Sequence, residues 1–242
     1  MGLALAGSVV AFWAAAPAAA QSPSGATSPE FYFRVSAHYQ LNNSIDLFDN
    51  LPPGPGAWFT GGWKGSQSDE FGGGIAVGVR IAPALRFDIS FDHTATSNVR
   101  WAYGTGSAGF DLSTSQVMVN GYLDLAPIFQ RGTFGPLNPY LTAGVGQSWN
   151  KNGDYKCSPG ICTQDLPYLN GATEKSLAWQ VGAGLQWQIA PRIILDASWK
   201  YLDLGKTRGR DDFTPGLESW GLNGDLAAHR FALGIVVPLG GW

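Results

Sequence analysis

His93 has the surroundings that come nearest to a catalytic arrangement in this chain. Asp92 precedes it, Thr94 follows it and Ser97 lies four positions on. A histidine base, a hydroxyl nucleophile and an orienting carboxylate within reach are the parts of hydrolytic acyl transfer. The spacing argues against that use. Asp92 and Thr94 flank His93 and so leave an extended chain on the opposite face, while the next residue on its own face is Ala95. His93 therefore reads as a polar residue at a strand end. His38 falls among charged side chains, and His229 opens the last patterned segment. Cys157 and Cys162, in the stretch KCSPGIC, read as a loop disulfide, with too few ligands nearby for a metal and the wrong spacing for a C-x-x-C redox pair. Gly72-Gly73-Gly74 lacks the Lys-Ser/Thr of a phosphate loop. No catalytic residue, metal site or cofactor is expected.

The other chemically capable residues are charged, and they share one pattern. Arg34, Arg80, Arg86, Lys200 and Arg230, with Asp88, Asp92, Asp124 and Asp196, all sit on the even parity of alternating segments. Successive side chains of a strand point to opposite faces. In segment 85–91 Leu85, Phe87, Ile89 and Phe91 therefore share one face, and Arg86, Asp88 and Ser90 the other. The same alternation recurs over 30–41, 71–81, 115–125, 139–149, 177–189, 193–201 and 230–239. Eight segments result, each near the ~9–11 residues that a tilted strand needs to cross a bilayer.

The connections alternate in length. Tight turns at 82–84 and 190–191 and an intermediate link at 126–138 contrast with long links at 42–70, 94–114, 150–176 and 205–225. After residue 20 no apolar run is long enough for a membrane helix, so a membrane-spanning form must be a closed barrel that satisfies its backbone between strands. With 33 Gly, 13% aromatic and only 14% charged residues, the composition suits alternating strands, glycine turns and aromatic girdles. A net charge of −3 gives no basic surplus, and no nucleic-acid partner is expected. The expectation is an all-β, eight-stranded, antiparallel, transmembrane up-and-down β-barrel over residues 30–242. Residues 1–20, apolar and ending in Ala18-Ala19-Ala20, read as a cleaved signal peptide, and 21–29 as a short periplasmic lead-in.

In such a barrel the apolar parity faces lipid and the charged parity faces inward. Eight strands leave an interior that side chains fill. The five cations and four carboxylates are thus expected to form an interior plug of ion pairs, with inward glycines making room for them. Trp179, Trp187 and Trp199 fall on the outward parity, as girdle residues would. Trp58, Trp63, Trp101 and Trp220 fall in the long links. Two readings stand for them: packing within folded loops, Phe59 or Phe110 being the partners in reach, or contacts exposed to a surface ligand.

Several motifs carry a family resemblance. Val117-Met118-Val119-Asn120-Gly121-Tyr122-Leu123-Asp124 is followed by Pro139-Tyr140-Leu141-Thr142-Ala143-Gly144-Val145-Gly146. Later come Trp199-Lys200-Tyr201-Leu202-Asp203-Leu204-Gly205 and His229-Arg230-Phe231-Ala232-Leu233-Gly234. In this order they resemble the OmpA/Opa-like family of small eight-stranded outer-membrane β-barrels. The resemblance implies an outer-membrane location, insertion by the barrel-assembly machinery, contact with membrane lipid, a structural or adhesive role through four exposed loops, and no cofactor. Tethering to the cell wall by a peptidoglycan-binding domain is not expected. Pro238, which lacks an N–H, is expected to bring the last strand to its end. The alternatives are a narrow porin-like channel for small solutes, in which neutralising Arg80 or Asp88 would alter conductance, and a lipid-modifying barrel enzyme using His93.

Overall fold

The computed structural model describes residues 29–42, 45–49, 63–103, 106–129, 134, 136–154, 156–157, 171–208 and 222–240. They form strands β1 (Glu30–Asn42), β2 (Ile45–Asp49), β3 (Trp63–Gln67), β4 (Glu70–Ala82), β5 (Leu85–Tyr103), β6 (Gly106–Asp124), β7 (Leu137–Asn152), β8 (Lys156–Cys157), β9 (Thr173–Ala190), β10 (Ile193–Arg208) and β11 (Leu222–Pro238). All pairings among them are antiparallel. The eight long strands are the eight expected segments. They pair in the order β1-β4-β5-β6-β7-β9-β10-β11, and β11 pairs back with β1.

The parity assigned from sequence is the one observed. Phe31, Val35, Ile75, Val77, Phe87, Ile89, Val119, Val145, Val181, Leu185, Leu233 and Ile235 are exposed on the outside, as are Trp179, Trp187 and Trp199. Arg34, Arg86, Asp88, Asp92, Asp124, Asp196, Lys200 and Arg230 are buried on the inside. An apolar outside around a charged inside is the inverse of a water-soluble barrel. β11 ends at Pro238, and the Leu239 N–H still donates to the Phe31 carbonyl at 2.8 Å.

Strand runs into all four of the long links expected to be loops. Residues 94–114 are mostly strand, because β5 runs on to Tyr103 and β6 begins at Gly106. A bulge between Thr94 and Ser97 explains why alternation at fixed parity missed this. Ala95 and Thr96 both face out, and Ser97, Val99 and Trp101 then turn inward on the odd parity. β10 likewise continues to Arg208 through a bulge at Asp203/Gly205. Gly205 has φ 72°, and a Cβ there would lie 2.3 Å from that of Ser176, so both conformation and space demand glycine. The link 42–70 contributes β2 and β3, which bridge β11 to β5 above the ends of β1 and β4.

Candidate functional site

The interior is built in layers. At the end near the 82–84 turn, the Arg86 guanidinium grips Asp124 through Nε (2.8 Å) and Nη2 (2.9 Å), and Arg80 Nη2 lies 3.6 Å from the same carboxylate. Arg86 also lies over the rings of Tyr122 (4.6 Å) and Tyr140 (5.1 Å), a cation–π arrangement. The Tyr140 ring, and that of Tyr32 on the other side of Arg86, fit because glycines face them. A Cβ on Gly78 or Gly184 would stand 2.2 or 2.3 Å from the Tyr32 or Tyr140 ring. The next layer centres on Asp88. It accepts from Arg34 (3.1 Å), the Tyr122 hydroxyl (2.8 Å) and Asn120 Nδ2 (2.7 Å). Gln180 Nε2 donates in turn to Asn120 Oδ1.

Above this, Arg230 donates to Gln40 Oε1 (2.7 Å) and to the Thr94 hydroxyl (3.3 Å), and lies 3.8 Å from Asp92. Glu70 follows, buried, accepting from Asn42 Nδ2 (3.1 Å) and Gln67 Nε2 (3.3 Å). At the far end the lining turns apolar. Ile45, Leu47, Val99, Trp101, Ala108, Phe110, Leu112, Leu202, Leu204 and Leu226 pack into one buried cluster. Beside it, Asn150 Nδ2 donates to the carbonyls of Leu204 (2.9 Å) and Lys206 (2.8 Å), which flank the β10 bulge, as buried carbonyls require.

The nine charged residues singled out from sequence thus share one interior without all pairing. Asp196 accepts from neutral partners, the Tyr140 hydroxyl and Gln186 Nε2, each at 2.9 Å. Lys200 is buried, and among the described residues no carboxylate lies within 4.0 Å of its ammonium. Glu70 was missed because it was placed in a loop, although it shares the parity of Gly72 and Gly74 and makes the charge five against five. Tyr32, Tyr122, Tyr140, Asn120 and Gln40 were visible on the inward parity but carry no charge, and so were left out of the network.

The other candidates fare differently. His93 Nδ1 lies 2.9 Å from Ser115 Oγ on the exposed outer face, while Asp92, Thr94 and Ser97 are buried inside, so no carboxylate among the described residues orients the imidazole. For Trp101 the packing reading holds and the surface-contact reading does not: it is 8% exposed and meets Phe110 edge-on at 6.0 Å, in a strand and not a loop, because the bulge turns it inward. Trp58, Trp220 and Cys162 lie outside the described residues, as do the side chains of Trp63 and Cys157. No cluster of three or more potential metal ligands occurs among the described residues. A recess near the 82–84 turn, between Tyr32, Arg80, Arg86, Ile194 and Val236, measures about 10 Å³, room for one water.

An apolar outer face, a charged inner face and antiparallel pairings that return to the first strand define the class of outer-membrane β-barrel proteins. The family model for the outer membrane protein beta-barrel domain matches residues 6–237, and the chain belongs to that family, as an integral protein of the outer membrane. It is similar to the outer membrane protein PagN of Salmonella typhimurium, 26% identical over 179 residues that cover 68% of this chain and 71% of PagN. An uncharacterised protein of Brucella suis is 30% identical over 159 residues, covering 57% of this chain and 54% of the relative, so the chain spans about half that relative's length. The crystal structure of OprG from Pseudomonas aeruginosa matches with a TM-score of 0.54 at 14% identity, over 89% of this chain and 98% of OprG, a likeness of fold alone.

Proposed function

We propose that the chain is an eight-stranded, transmembrane, up-and-down barrel whose interior is sealed, and that it acts as a structural or adhesive protein through its exposed end. Sealing carries the reading. The polar network from Arg86 to Glu70 and the apolar cluster from Ile45 to Leu226 fill the interior in succession. Function then falls to the outside. Residues 1–20 serve as the export signal, and the barrel-assembly machinery inserts the protein. Cys157 and Cys162 pair as a disulfide, and Trp58, Trp63 and Trp220 remain candidates for the contact surface. Kinship with OmpA/Opa-like barrels rests on the motif order given above.

The test is display of the protein in the outer membrane of a non-adherent bacterium, with segments 50–62 and 209–221 replaced by Gly/Ser linkers. Adhesion to host-cell surfaces is expected from the intact protein and is lost in the exchanged one, while heat-modifiable migration, the mark of a folded barrel, is kept. Equal adhesion by folded intact and exchanged proteins would overturn the contact role.

A further inference from the structure

A row of outward-facing donors crosses four adjacent strands just beyond the apolar band. Cross-strand pairing sets His93 beside Ser115, Ser115 beside Trp149, and Trp149 beside Lys175. Lys151, opposite Thr173, is the diagonal neighbour of Lys175 on the same face. The row below is Phe91, Val117, Gln147 and Leu177, with Leu177 74% exposed. Both lysines are exposed, and among the described residues neither has a carboxylate at ion-pair distance. The carboxylates nearby are committed elsewhere. Asp111 holds Lys156 at 2.8 Å, Asp154 accepts the Gly171 N–H at 3.0 Å, and Glu174 takes the opposite parity from Lys175.

The rest of the rim differs. On its other side Asp69 accepts from the Tyr39 hydroxyl, Asp203 accepts from the Gly205 N–H, and Asp225 stands opposite Lys206. Two ammonium groups with no carboxylate partner among the described residues, a hydroxyl–imidazole pair and a half-buried indole lie where an apolar band gives way to polar surface. Long cationic side chains reach from an apolar surface to the anionic headgroup level, and an indole suits the interface between them.

We propose that Lys151 and Lys175 bind the phosphate groups of an outer-leaflet glycolipid, with Trp149, Ser115 and His93 contacting its adjoining sugar. The site rests on the membrane placement proposed above, and the experiment separates the two. The refolded protein is inserted into phosphatidylcholine nanodiscs, insertion being checked by heat-modifiable migration. Bis-phosphorylated lipid A is then titrated and bound copies are counted by native mass spectrometry. The double variant K151Q/K175Q is expected to bind it roughly thirty-fold more weakly, from the loss of two headgroup-level lysines. Lys64→Gln, on β3 and away from the row, is expected to leave binding unchanged, and lipid A stripped of both phosphates is expected to bind the unsubstituted protein as weakly as the double variant binds lipid A. Undiminished binding by the folded double variant, or equal binding of phosphate-free lipid A, would overturn the site. Failure of the unsubstituted protein to insert would overturn the membrane placement first and this site with it.

Discussion

Replacing Asp124 with alanine is expected to destabilise the folded protein by about 3–5 kcal/mol, the range for removing one partner of a buried ion pair. Arg80 and Arg86 are direct cross-strand neighbours between β4 and β5, an unfavourable placement for like charges. Asp124, 0% exposed and bonded by one and approached by the other, is the group that makes it tolerable. Its removal takes the carboxylate from the buried Arg86 guanidinium, whose remaining neighbours are tyrosine rings, and leaves the like charge of Arg80 beside it. Equilibrium urea unfolding of the bilayer-inserted protein measures the loss. Asp196→Asn is the comparison, because the partners of Asp196 are a hydroxyl and an amide. About 1 kcal/mol, the worth of an ordinary hydrogen bond, is expected there. Equal losses in the two variants would show that the interior does not depend on charge pairing.

Trp101→Ala is expected to cost about 3–5 kcal/mol, as for other fully packed aromatic side chains, but locally. Trp101 lies in the apolar cluster beyond the bulges, where β5 and β6 have left the apolar band behind. Hydrogen exchange should show lost protection at the amides of residues 97–112. Those of 85–92 and 116–124, held by the Arg86 and Asp88 networks, should keep theirs. A uniform loss along both strands would mean that cluster and charged interior form one cooperative unit. An unchanged extension would mean that the cluster does not hold it together.

The eight long strands and the orientation of their faces were legible because alternation at period two is a local signal. Leu85 through Phe91 declares its faces without reference to any other strand. The strand extensions were not legible. A bulge adds one residue and reverses parity, so Val99 and Trp101 fall on what had been the outward phase and read as loop. Glu70 is hidden for a different reason: its parity is the inward one, but it stands one residue before the apolar alternation of β4 begins at Phe71. The charged interior could be listed from sequence, but its pairing depends on register and on long side chains reaching across the lumen. Nothing in the order of residues indicates that Arg86 takes Asp124 while Asp196 takes Tyr140. The polar outer row was hidden for the same reason, since His93 and Ser115 meet only across β5 and β6.

The sealed interior is tested most directly by recording single-channel conductance of the refolded protein in a planar bilayer, alongside Arg80→Gln and Asp88→Asn. A silent bilayer is predicted for the unsubstituted protein and for both variants, because the apolar cluster closes the lumen even where the ionic layers are weakened. Discrete, reproducible steps whose size shifts on neutralising Arg80 or Asp88 would contradict the account and make the interior a solute path.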